Sequence, residues 1–173
     1  GKLRIPKQGA VNTELERVLL RAVIDKKKPI VGEMIRLQYK LYFNVQIENY
    51  EPPELPSLRG FLIENLPDIR QPDVVQEKWN GLNWNSAIVK EVLLFPTRSG
   101  QLTIDGAIGS AQVPDKSRKS RRRDPFGSFF GRNRKSIPLM ADDIIIDVQP
   151  LPEGMPADFS GAVGQFKLSA NPD

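Results

Sequence analysis

From Ile35 to Phe43 the chain alternates strictly. Ile35, Leu37, Tyr39, Leu41 and Phe43 hold the odd positions, with Arg36, Gln38, Lys40 and Tyr42 between them. A period of two over nine residues puts the first set on one face of an extended strand and the second on the other. A helix would scatter the same apolar set around its circumference, so this stretch is committed to a sheet with one buried face. Helix signals are poor elsewhere. Fifteen prolines interrupt the chain, at a density that excludes long helices and central strands where it peaks and suits connections between sheets. One short helical candidate, Thr13 to Arg17, runs straight into Val18–Ile24, whose branched residues predict a strand.

Asn80-Gly81, between the strand-like runs Val74–Trp79 and Leu82 onward, predicts a two-residue type I′ hairpin, because both central residues of that turn need positive φ. The hairpin pairs Trp79 with Leu82 and Glu77 with Trp84, leaving the two indoles as diagonal neighbours on one face. At Lys90-Glu91 the alternation slips, which predicts a bulge or a change of sheet. Residues 48–60, with Pro52, Pro53 and Pro56, read as an irregular crossover. Phe61–Glu64 reads as a short strand, and Pro96–Gly100 as a tight turn into Leu102–Ile104. Ile137 to Val148 is expected to close the domain, with Ile144-Ile145-Ile146 as its apolar centre. Gly32, Gly60, Gly81 and Gly100 read as turn residues.

Short strands punctuated by Gly and Pro predict an all-β fold, an immunoglobulin-like antiparallel β-sandwich with a long basic hairpin loop. Alternation alone does not separate a sandwich from a closed barrel; proline-rich crossovers favour the sandwich. The expected organisation is an N-terminal linker over 1–14, the sandwich over 15–149, a Pro/Gly linker over 150–160, and over 161–173 the first strand of a truncated following domain. The apolar run Phe159–Ala170 is expected to dock against a sheet edge or to extend freely.

The chain has no Cys and no His. That removes thiolate nucleophiles, Ser-His-Asp triads and the usual zinc ligand sets. No stretch approaches the ~20 apolar residues of a membrane span. The net charge of +4 is unevenly placed: between Pro114 and Lys135 nine cations face only Asp115 and Asp124, giving +7 there and −3 for the rest. The high isoelectric point thus belongs to one loop and not to the fold.

Within that segment Arg121, Arg122 and Arg123 precede Phe126, Phe129 and Phe130. A solvated loop would account for the charges but gains nothing by exposing three phenylalanines. If the rings fold back onto the sandwich, only the arginines are free; otherwise aromatics beside cations suit an anchor for a protein partner or an anionic lipid surface. These six residues are the candidate partner-binding site. Trp79 and Trp84 suggest a carbohydrate-binding module as the alternative, although sheet-face packing explains the pair more simply. Asp142, Asp143 and Asp147 lack the glycine-bearing pattern of a calcium loop. The spacing of Glu64, Asp68, Asp73 and Glu77 commits no two carboxylates to one bond. No catalytic, metal or cofactor-binding residue is assigned, and no small-molecule substrate is expected.

Several runs resemble the bacterial aerotolerance (oxygen tolerance) family BatD: Val31-Gly32-Glu33, Gly60-Phe61, Leu94 to Gly100, Arg123-Asp124-Pro125-Phe126, and above all Pro150-Leu151-Pro152 followed by Ala157 to Phe166. The resemblance covers residues 18–173 in order. Ile137 to Asp143 departs from it, standing where a Ser-Asn-Pro-type approach to the last strand is expected. What the resemblance implies is a non-enzymatic, membrane-anchored protein with immunoglobulin-like domains on the periplasmic face of the inner membrane. Its implied partners are envelope proteins with von Willebrand factor A-type or tetratricopeptide-repeat domains. It carries over no catalytic residues, and an extracytoplasmic address argues against nucleic acid.

Overall fold

The computed structural model describes residues 17–115 and 134–153. Among them there are ten strands and no helix. In chain order these are β1 (Val18–Ile24), β2 (Ile35–Phe43), β3 (Asn49–Glu54), β4 (Phe61–Asn65), β5 (Val74–Trp79), β6 (Leu82–Pro96), β7 (Gly100–Ile104), β8 (Ile108–Pro114), β9 (Arg134–Met140) and β10 (Ile144–Val148). Every pairing between these strands is antiparallel.

One layer has the order β1-β2-β6, and β6 is long enough to carry two strands along its far edge: β4 pairs with Val92–Pro96 and β5 with Leu82–Ala87. The other layer is β3-β8-β9, with β7 and β10 paired to each other. β8 follows β7 and β10 follows β9 after three residues each, so both are interrupted strands. Taking β4 with β5, β7 with β8 and β9 with β10, the strands lie A-B-E-D over C-F-G, the immunoglobulin constant-type order. The layers pack face to face, β1 against β9 and β3 against β6.

Ile35, Leu37, Tyr39 and Leu41 all point into this sandwich, as their alternation requires. They meet Val92 and Leu94 from β6, and Leu102, Ile104, Ala111, Val113, Ile146 and Val148 from the opposite layer. Each large aliphatic side chain so buried contributes roughly 1.5–3 kcal/mol. Residues 27–31 join the layers. Asp147 N donates to Lys27 O (3.0 Å), Gln149 N to Pro29 O (2.7 Å) and Val31 N to Gln149 O (3.0 Å), while Gly32 N reaches Pro96 O at the end of β6 (2.8 Å).

Two expectations need correction. The stretch 48–60 is not wholly irregular: Asn49–Glu54 forms β3, whose register with β8 slips between Glu51 and Glu54 across Pro52-Pro53. β3 is an edge strand, where prolines without N–H groups are tolerated. The closing run Ile137–Val148 spans two strands, β9 and β10, parted at Ala141–Asp143. Of its supposed apolar centre, Ile146 is buried but Ile145 is 60% exposed, because neighbours in a strand face opposite ways. The bulge expected at Lys90-Glu91 is present, one residue earlier: Lys90 pairs with Tyr39 and Ile88 with Lys40, so Val89 is the extra residue. Residues 13–16 of the helical candidate, the 1–14 linker, most of the 150–160 linker and the 161–173 strand lie outside the described residues.

Candidate functional site

β8 and β9 are neighbours in the ladder, with Val113 opposite Lys135 and Pro114 opposite Arg134. The two ends of the basic segment therefore stand side by side. Both are tied to the connection between β2 and β3: Glu48 N donates to Gln112 O (2.9 Å), and Arg134 Nε pairs with Glu48 Oε2 at 2.7 Å. The Glu48 side chain is only 10% exposed, so the ion pair compensates a largely desolvated carboxylate. The six candidate residues themselves, Arg121, Arg122, Arg123, Phe126, Phe129 and Phe130, lie outside the described residues.

A second cluster occupies the outward face of the first layer. Asn80 and Gly81 adopt φ of 50° and 79°, as a type I′ turn demands. The turn fixes the register read from the sequence, Trp79 opposite Leu82 and Glu77 opposite Trp84. Across β6 and β2, Ser86 faces Tyr42, which faces Leu19 of β1, while Lys40 faces Arg21. The even positions of β2 thus meet the odd positions of β1 on this outer surface. Lys40 Nζ donates to Glu77 Oε1 (2.5 Å), Ser86 Oγ to the same oxygen (2.6 Å) and Tyr42 OH to Oε2 (3.0 Å). These donors, Lys40 foremost, hold the Glu77 carboxyl down at about 2. The Arg21 guanidinium lies 4.6 Å from the Trp79 ring centre and 5.3 Å from that of Tyr42, a cation–π arrangement.

The indoles are not a flat platform. Their rings lie 6.0 Å apart and are inclined by 59°, and Trp84 is 4% exposed. A sugar ring needs an open, continuous aromatic surface, and this pair does not offer one. The sequence reading found the Trp pair but missed the ring of Arg21, Lys40, Tyr42 and Ser86 around it. The available signal was Tyr42, an aromatic at an outward position of an otherwise polar face.

The remaining acidic residues are dispersed. Asp143 Oδ1 accepts from Gly106 N (2.7 Å) and serves the strand interruption, whereas Asp147 pairs with the Gln149 amide (3.1 Å). No group of three His, Cys, Asp or Glu able to hold a metal ion occurs among the described residues. A cleft of about 260 Å³ is lined by Asp73 and Glu91 among others, but Glu91 is engaged by Gln38 (2.5 Å) and Arg36 (3.5 Å). A larger groove, about 550 Å³, opens where Phe43, Val45, Ile47, Val74 and Val89 approach, and no carboxylate lines it.

Fold and surface together define a β-sandwich with immunoglobulin-like strand order, bearing a cationic segment between two adjacent strands. The chain matches no family model and none of the curated proteins with which it was compared.

Proposed function

We propose that the chain is a non-enzymatic protein-interaction module on the extracytoplasmic face of a membrane-anchored BatD-like protein, and that residues 114–135 make its principal contact. The observation that carries this reading is the pairing of Pro114 with Arg134. It makes a segment of charge +7 emerge from one end of two hydrogen-bonded strands, on a body whose own charge is −3. Such a field steers an acidic partner to one end of the molecule. Phe126, Phe129 and Phe130 supply the apolar anchor that charge alone lacks, since binding energy concentrates in a few desolvated aromatic and arginine residues. The partners of this reading are envelope proteins with von Willebrand factor A-type or tetratricopeptide-repeat domains, with an anionic lipid surface as a further contact. Its place in aerotolerance rests on the resemblance.

The test replaces Arg121, Arg122 and Arg123 with Ser in one variant, and Phe129 and Phe130 with Ser in another. Association with a purified von Willebrand factor A-type partner and with anionic vesicles is then measured. Both variants are expected to lose binding. Undiminished binding of both would reduce the segment to a spacer.

A further inference from the structure

We infer that the outer face of the first layer, centred on Arg21 and Trp79, is a second docking surface, and that its occupant is an acidic protein segment carrying an apolar side chain. The outward face of a sandwich sheet is ordinarily polar. Here Trp79 is half-buried against Tyr42, with ring centres 5.5 Å apart, and Leu82 opposite it is 54% exposed; Val75, four residues back on the same face of β5, is 51% exposed. The register places Leu82 directly opposite Trp79, so the exposed leucine and the indole make one continuous apolar strip.

Charge selects the occupant. Glu77, the carboxylate at the middle of the cluster, is fully engaged by Lys40, Tyr42 and Ser86. Among the described residues Arg21 stacks on two aromatic rings, meets the Tyr42 hydroxyl at 3.5 Å and forms no salt bridge. The face therefore presents one planar cation, stacked on two aromatic rings and without a salt-bridge partner among the described residues, beside exposed apolar surface. A guanidinium held in this way is pre-organised to take a carboxylate through its free N–H edge. An aliphatic or aromatic side chain two residues along the bound segment would cover Leu82. This surface is built from β1, β2, β5 and β6 and includes no residue of 114–135.

Trp79 and Trp84 are the two tryptophans of the chain, so its indole fluorescence reports this face alone. The probe is a blocked peptide of sequence Asp-Glu-Phe-Asp-Glu, with the amide counterpart Asn-Gln-Phe-Asn-Gln as control and phosphatidylserine vesicles as a separate arm. The acidic peptide is expected to change the emission saturably, more weakly as salt is raised. Arg21→Gln should lose about tenfold in affinity, with Arg21→Lys in between. Leu82→Ser, an exposed change that leaves the fold intact, should also weaken it. Equal binding of the amide peptide, unchanged binding in Arg21→Gln, or a response to vesicles but not to the acidic peptide would overturn the assignment. The variant lacking Arg121, Arg122 and Arg123 should respond as the parent does, which keeps this outcome distinguishable from that of the basic segment.

Discussion

Gly106 stands so close to Ala141 that a Cβ built on it would lie 2.0 Å from the Ala141 carbonyl oxygen. The two residues sit at the interruptions of β7–β8 and β9–β10, where Ala141 N also donates to Ala107 O (2.9 Å) and Asp143 receives Gly106 N. Replacement by alanine must push backbone from backbone, so Gly106→Ala should cost about 2–4 kcal/mol in urea unfolding. Gly81 offers the contrast: its φ is +79° but nothing lies within 4 Å of the added carbon. Gly81→Ala should cost only about 1 kcal/mol, from left-handed strain. If the two variants unfold at the same urea concentration, close approach is not what Gly106 provides.

Glu77 should make stability depend on acid in a defined window. Its carboxyl is lowered from 4.5 to about 2 by Lys40, Ser86 and Tyr42, so the folded protein binds fewer protons there than the unfolded chain. The contribution is complete above pH 4.5 and disappears as pH falls toward 2. With the side chain 30% exposed, solvent screening leaves on the order of 2 kcal/mol. Urea midpoints of the parent and of Glu77→Gln should differ at pH 6 and converge near pH 2. A difference that persists at low pH would contradict the assignment.

The Arg134–Glu48 pair should behave as a coupled unit. Arg134→Gln leaves Glu48 desolvated and unpaired and is expected to cost about 1–2 kcal/mol, whereas adding Glu48→Gln should return part of that loss. A double-mutant cycle should give a coupling near 1 kcal/mol, because the Arg134 side chain is 55% exposed. Strict additivity would mean that the contact contributes nothing in solution.

Tyr39 carries a buried hydroxyl with no hydrogen-bond partner among the described residues, and burial raises its ionisation to about 12. Removing an unpaired polar group from a core does not forfeit a hydrogen bond, so Tyr39→Phe should leave stability within about 1 kcal/mol or raise it. The sign with pH is fixed as well. The unfolded phenol ionises near 10 while the folded one remains neutral, so the parent loses stability between pH 10 and 12. The Phe variant should lack that decline in alkaline urea titrations, and a large destabilisation at neutral pH would show that the hydroxyl has a partner.

Local pattern carried much of the fold. β2 was legible because its alternation reports directly which side chains face the core. The hairpin of β5 and β6 was legible because Asn80-Gly81 dictates turn type, and turn type dictates register. β3 was not, since two adjacent prolines look the same in an edge strand and in a loop until a neighbouring strand is known. Gly106 went unnoticed for a related reason: its role lies in proximity to a residue 35 positions away and not in its own φ.

The candidate surfaces divide along the same line. The cations and phenylalanines of 114–135 are a matter of composition and were visible at once, whereas the ring of donors around Glu77 was not. Sequence by itself determined an all-β chain, the facing of its clearest strands, and the concentration of positive charge between two of them, because alternation, turn geometry and charge are local properties. Only the tertiary structure decided that β1, β2, β5 and β6 would bring Arg21, Tyr42, Trp79 and Glu77 onto one surface. That meeting depends on strand order and register between distant segments, which no local pattern contains.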